Sequence, residues 1–156
     1  MPEAHRQSAT AAVSVHPDEA FDGTWPFEAR YSDASGFPMH YVDEGHGSET
    51  LLLVHGELDD KEIEFVKVAG RLTDAGYAVL MYDLRNHGES GKSALGVGTG
   101  GVDEHHDVLG AVEFVATSES AMGKPIGLLS YCMGANATFN AQGADPDLFT
   151  RSNVKA

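Results

Sequence analysis

The chain has 156 residues, 42% of them hydrophobic and 8% aromatic, enough for one packed domain of ordinary size. Its 24 acidic and 10 basic residues give a net charge of -14, a field that repels phosphate backbones and anionic lipid headgroups and so argues against nucleic-acid and membrane partners. A single cysteine excludes an internal disulfide, and no apolar run is long enough to span a bilayer.

Residues 1–25, "MPEAHRQSATAAVSVHPDEAFDGTW", are small, polar and aperiodic, with Glu3 near the start and no sustained apolar segment. They read as a flexible tail rather than a secretory leader, and the chain as cytoplasmic. Residues 26–156 read as the folded domain. From Phe27 the pattern alternates: "FEARYS", a turn at "DASG", then "FPMHYV", a β-hairpin. After "DEGHGSE" comes "TLLLV", residues 50–54, apolar throughout as in a strand buried on both faces of a parallel sheet. "DDKEIEFVKVAGRLTDAG" follows, with Ile63, Val66, Ala69 and Leu72 at helical spacing. Asp59 and Asp60 stand where caps are needed, Glu62 and Glu64 favour the positive end of the dipole, and Gly76 closes the helix.

"YAVLMYD" reads as a second buried strand, "VDEHHDVLGAVEFVATS" as a helix with Asp103 and Glu104 in its first turn, and "PIGLLS" as a third strand that Pro125 can start. "MGANATFNAQ" reads as a last helix. Strands alternating with helices predict an α/β fold, a mostly parallel sheet with helices on both faces. In such sheets chemistry sits at the carboxyl ends of the strands, and here those ends read "VHGEL", "YDLRNHGESG" and "SYCMGA".

The third loop carries the strongest signal. A sharp strand-to-helix turn needs small residues two before and two after its exposed side chain. With Cys132 central those positions are Ser130 and Gly134; with Ser130 central they are Leu128 and Cys132, and leucine fits poorly. The frame therefore selects cysteine over a merely buried thiol, the commoner fate of this residue type. Such a turn sets the sulfur at a helix N-terminus, where partial positive charge favours an anion, and aims the Met133 N–H at a developing oxyanion.

Together, "LLLVHGE", "YDLRNHGESG" and "LLSYCMGANAT" resemble the α/β-hydrolase superfamily, from about Phe27 onward. The resemblance implies Cys132 as nucleophile, an oxyanion loop at His55-Gly56 with a second donor from Glu57 or Leu58, and a structural role for Asp83 to Ser90. "FEARYSDASGFPMHYVDEG" and "VHGE" are similar to the N-terminal part of haloalkane dehalogenases, whereas the cysteine elbow is similar to that of dienelactone hydrolases, in which a glutamate like Glu57 contacts the thiol. Chemistry separates the two. A thiol that displaces halide from an sp³ carbon leaves a thioether that water cannot cleave, so Cys132 suits acyl transfer on an ester, lactone or thioester.

In this superfamily the acid and histidine follow the nucleophile along the chain. No histidine follows Cys132, and Asp145 and Asp147 come too soon after the elbow to stand on a later strand. The chain thus reads as the N-terminal half of the fold, truncated after the elbow helix and inactive alone or in need of a partner. The alternative is a catalytically silent fragment or interaction module. His55 and His87 lie at strand ends on the correct edge, and the resemblance implies a structural role for both ahead of that of a substitute base. Two other motifs fall to context. "NHGESGKS" nearly matches a phosphate loop, but Asn86 replaces the first glycine and "ALGVGTGG" follows where a helix should start. "GVGTGG" contains G-x-G-x-x-G with no strand before it and reads as a flexible loop. In "DEHHD", adjacent helical histidines point about 100° apart, so no metal is expected, nor a cofactor. The expected partners are a small carbonyl substrate and, through an apolar edge at "IGLLS", a second copy or the missing half.

Overall fold

The computed structural model describes residues 30–33, 36–56 and 61–155. The expected tail over 1–25, the strand start at Phe27, the cap candidates Asp59 and Asp60 and the oxyanion candidates Glu57 and Leu58 lie outside these residues.

A six-stranded sheet has the order β1-β2-β4-β3-β5-β6. The hairpin is present as β1 (Arg30–Ser32) and β2 (Met39–Glu44), antiparallel with Tyr31 opposite His40, and the Gly36 N–H closes its turn on the Asp33 carbonyl at 2.8 Å. β2 runs antiparallel to β4 (Ala78–Tyr82). β3 (Thr50–Val54) is parallel to both β4 and β5 (Ile126–Ser130), with Thr50 opposite Ala78 on one side and Ile126 on the other. β6, Val154–Lys155, pairs with Ile126 and Gly127.

The two faces of the sheet are separated by the strand period of two. Leu53, Val79 and Met81 face α1 (Lys61–Asp74), with Val42, Phe65 and Ala69. The side chains of Ile63 and Val66 lie outside the described residues. Leu52, Val54, Leu80 and Tyr82 face the other way. There they meet α2 (His105–Thr117), α3 (Met133–Ala144) and α4 (Pro146–Arg151) through Val108, Val112, Ala137, Ala141 and Leu148. β3 and β4 are buried as their unbroken apolar runs predict.

Three expectations change. β5 is not buried on both faces: α1 packs on β3 and β4, and Leu129 of β5 is 44% exposed. α2 starts at His105, later than its acidic lead-in suggests, because Glu104 occupies the N-cap with its carboxylate turned into the preceding loop. α4 was not anticipated; Asp145 caps it by accepting the Leu148 N–H at 2.8 Å, and Pro146 starts it without a missing donor being felt.

Candidate functional site

β5 ends at Ser130, the Tyr131 N–H donates to the Val54 carbonyl at 2.9 Å, and Cys132 then turns the chain with φ 50 and ψ -119. Met133 begins α3 at once. Positive φ brings the Cβ of an L-residue against its own backbone and costs on the order of 1–3 kcal/mol, a strain that persists only where the surroundings impose it. Here both sides impose it. The Cys132 carbonyl already accepts from Ala135 (3.0 Å) and Asn136 (3.3 Å), while β5 is fixed against β3. The side chain at this strained tip is exposed.

The two small flanking residues have separate reasons. A Cβ at Gly134 would lie 2.4 Å from the His55 carbonyl oxygen and 2.5 Å from that of Val54, so the elbow and the His55-Gly56 loop touch backbone to backbone. Ser130 is half-buried, and its hydroxyl pairs with that of Thr138 at 2.7 Å, one turn into α3. Thr138 in turn donates to the Gly134 carbonyl at 2.9 Å. Sequence reading missed Thr138; nothing in its spacing from Ser130 signals a contact across the turn. The Met133 side chain is buried at 2% exposure and anchors the helix start. Its N–H belongs to the first turn, whose amides find no acceptor within a helix and carry its partial positive charge.

His55 is fully buried. The Leu84 N–H donates to its Nε2 at 2.9 Å, which makes Nε2 the acceptor and places the proton on Nδ1, 2.6 Å from the Gly56 carbonyl. The ring thus ties the end of β3 to the loop after β4. His87 is half-buried, with Nδ1 2.9 Å from the Arg85 carbonyl and its ring edge-on to that of His55 at 5.1 Å.

The segment from Asp83 to Ser90 is scaffolding. The buried Asp83 carboxylate meets His40 Nδ1 at 3.1 Å and the Glu89 N–H at 3.2 Å. The Ser90 hydroxyl donates to the Asp83 carbonyl and accepts from the His40 N–H, both at 2.8 Å. The Arg85 guanidinium forks onto Asp107 with contacts of 2.7 to 3.0 Å and covers the Phe37 ring at 4.5 Å. Burial raises the Asp107 carboxyl from its ordinary value, against the hydrogen bonds and charge of Arg85. Burial likewise pushes the Tyr82 hydroxyl up, with the Asp107 charge adding to it.

The phosphate-loop likeness does not survive the geometry. Asn86 bridges the loop, donating to the Val97 carbonyl at 2.9 Å and accepting from the Ser93 N–H at 2.7 Å, and the next helix begins only at His105. The rings of His105 and His106 do come together, at 3.9 Å, because His105 leans back on the Val102 carbonyl. Burial and the nearby His105 and Arg85 lower the His106 pKa. Among the described residues, no three His, Cys, Asp or Glu side chains gather as a metal site would need, and no helix is long and apolar enough to cross a membrane. One cavity lies between β2, β4 and α2 at Tyr82 and Asp107, another between α2 and α4 at Arg85 and His106; Cys132 lines neither.

The sequence matches the family described as "Serine aminopeptidase, S33" over residues 45–152. No curated protein matches it. Similar solved structures include an epoxide hydrolase, VrEH1 from Vigna radiata: 18% identity, TM-score 0.64, 83% of this chain and 38% of that one. They also include an E-2-(acetamidomethylene)succinate hydrolase: 24% identity, TM-score 0.62, 78% of this chain and 41% of that one. Est1E from Butyrivibrio proteoclasticus, with ferulic acid bound, has 18% identity and TM-score 0.66, over 77% of this chain and 49% of that one. The chain thus spans less than half the length of each, and at these identities they speak for the fold alone. The family match covers more than half of the sequence, on the sheet order and elbow described above, and the chain belongs to the serine aminopeptidase S33 family of the α/β-hydrolase superfamily.

Proposed function

We propose that the chain carries the nucleophile side of a hydrolase acting on small carbonyl compounds (esters, lactones or thioesters), with Cys132 as the nucleophile. The observation that carries this reading is the backbone of Cys132, an L-residue held at φ 50 between β5 and α3 and set against the His55-Gly56 loop through the close approach at Gly134. Strain of this kind at an exposed reactive side chain is a mark of function. In the proposed step the thiolate attacks the carbonyl carbon and an S–C bond forms. The oxyanion is met by the Met133 N–H, with Glu57 or Leu58 as second donor. Collapse breaks the bond to the leaving oxygen, or to sulfur in a thioester, which takes a proton from solvent, and an acyl thioester remains on Cys132.

Release of that thioester needs a water activated by a base. His55 has both ring nitrogens engaged, and no histidine follows Cys132. The chain by itself therefore acylates once and stalls. The thiol also discriminates among reactions associated with its neighbours. Opening an epoxide, as the Vigna radiata neighbour's name indicates for that protein, would leave a thioether on sulfur, whereas acyl transfer leaves a bond that water can cleave. A lone thiol also fits a reducing compartment, and we read the chain as cytoplasmic.

The test is an activated aryl ester mixed with purified chain. A Cys132-dependent burst of about one product per chain, with no later turnover above the Cys132→Ala control, is expected. Absence of the burst would remove the nucleophile; sustained Cys132-dependent turnover would remove the stall and bring His87 back as base. A second reading, an interaction module without chemistry, draws on the exposed Leu129 and Tyr131 at the end of β5; it predicts no burst.

A further inference from the structure

We infer that Glu104 is a positioning residue for Cys132: it fixes the loop 99–101, and the loop fixes the first turns of α3 on which the elbow stands. The inference rests on the reading of Cys132 as nucleophile. Glu104 is a carboxylate with 0% exposure, at the N-cap of α2 but without a capping hydrogen bond there. Its oxygens accept from the Thr99 N–H at 2.9 Å, the Thr99 hydroxyl at 2.7 Å and the Gly101 N–H at 2.8 Å. The Thr99 hydroxyl also accepts from the Asp103 N–H at 2.7 Å, which closes the loop on itself. A buried charge is tolerated only with such partners, so the loop and the carboxylate hold each other in one arrangement.

The other side of this loop lies on α3. A Cβ at Gly101 would come within 2.7 Å of the Ala137 amide nitrogen and 2.8 Å of the Asn136 Cβ. Asn140 donates to the Gly101 carbonyl at 3.0 Å, and Asn136 to the Gly100 carbonyl at 3.4 Å. Asn136 and Asn140 are spaced by four and share one side of α3, and Cys132 is the N-cap residue just before its first turn. The Asn136 N–H also reaches back to the Cys132 carbonyl at 3.3 Å. The loop therefore bears on the first two turns of α3, next to the elbow, at Asn136, Ala137 and Asn140. Letting the loop go would free α3 to slide and the strained Cys132 backbone to relax, which would carry the Met133 N–H away from the sulfur. A displacement of about 1 Å at a reacting group can cost up to a hundredfold in rate.

The experiment follows alkylation of Cys132 in the full chain by iodoacetamide, as a rate and as a pH profile, under conditions where each variant is fully folded. Glu104→Ala is expected to slow alkylation about tenfold and to move the profile. Glu104→Gln, which keeps one acceptor oxygen, is expected to recover part of the loss. Val79→Ala, in the core on the opposite face of the sheet, is expected to leave rate and profile as they are. Wild-type reactivity in Glu104→Ala, or an equal change in Val79→Ala, would overturn the inference. If Glu104→Ala fails to fold, Asn140→Ala releases the same loop from its other side; an unchanged rate there would overturn it equally. Alkylation is read without any ester, so failure of the burst and failure of the positioning role are told apart.

Discussion

Replacing Gly134 by alanine adds one carbon where two oxygens already stand, 2.4 Å from that of His55 and 2.5 Å from that of Val54. Ordinary carbon–oxygen contacts begin near 3.3 Å, so a retreat of about 0.9 Å is required. Neither oxygen can yield by a rotamer change, since both are backbone, and that of Val54 also accepts the Tyr131 N–H at 2.9 Å. The strand carrying Val54 is held by β4 on one side and β5 on the other, so α3 must withdraw. Overpacking costs about 1–3 kcal/mol, here at the upper end, and alanine returns about 1 kcal/mol of helix propensity. The expected net loss is about 2 kcal/mol, or about 4–8 °C in Tm for a domain of this size. Gly143 on the same helix has nothing within 4 Å of its Cβ position, and Gly143→Ala should gain up to about 1 kcal/mol. Urea denaturation followed by circular dichroism measures both. If Gly134→Ala stays within about 0.5 kcal/mol of the parent, or the two variants move the same way, the argument from close approach is wrong.

Two further outcomes are expected. Burial pushes the Glu104 carboxyl up, but the hydrogen bonds from Thr99 and Gly101 outweigh it and hold the group below its ordinary 4.5. A depressed folded-state pKa stabilises above the unfolded value and ceases to do so as pH falls through the folded one. The stability gap between the parent and Glu104→Gln should therefore narrow below about pH 4.5; a gap that holds constant into acid would contradict the network. At the sheet edge, β6 covers β5 only at Ile126 and Gly127, and Leu129 is 44% exposed. We expect the 156-residue chain to sediment as dimers or larger species, and Leu129→Lys to shift it towards monomer; a parent that remains monodisperse and monomeric at every concentration would refute this.

What the sequence made legible was whatever its local chemistry determines. "TLLLV" and "AVLMY" became β3 and β4 because a strand buried on both faces cannot be anything but apolar. The frame around Cys132 told where the turn falls because the crowding at residue 134 is inherent in any strand-to-helix elbow. Other features were hidden because their cause lies in a distant segment. "GVGTGG" looked like a loop of flexible glycines, yet Gly101 is small because α3 passes against it. Glu104 read as a first-turn residue of its helix, and it stands instead at the N-cap with its carboxylate organising the preceding loop. His55 read as a structural histidine of its loop, and one of the contacts that give it that role, Leu84 on the ring nitrogen opposite the one facing Gly56, comes from a segment 29 residues away. α4, six residues long, is too short for periodicity to show.

The position of β3 has a consequence for synthesis. Its two neighbours in the sheet, β4 and β5, both come later in the chain. Some 76 residues separate Val54, the end of β3, from Ser130, the end of β5. At about 5–20 residues per second the ribosome takes about 4–15 s to cover that distance. Throughout that interval the edge of "TLLLV" that will receive β5 is open, with an apolar side chain at four of its five positions. A nascent chain paused short of Ser130 thus displays a ready binding strip to chaperones, and to sister chains emerging from the same message.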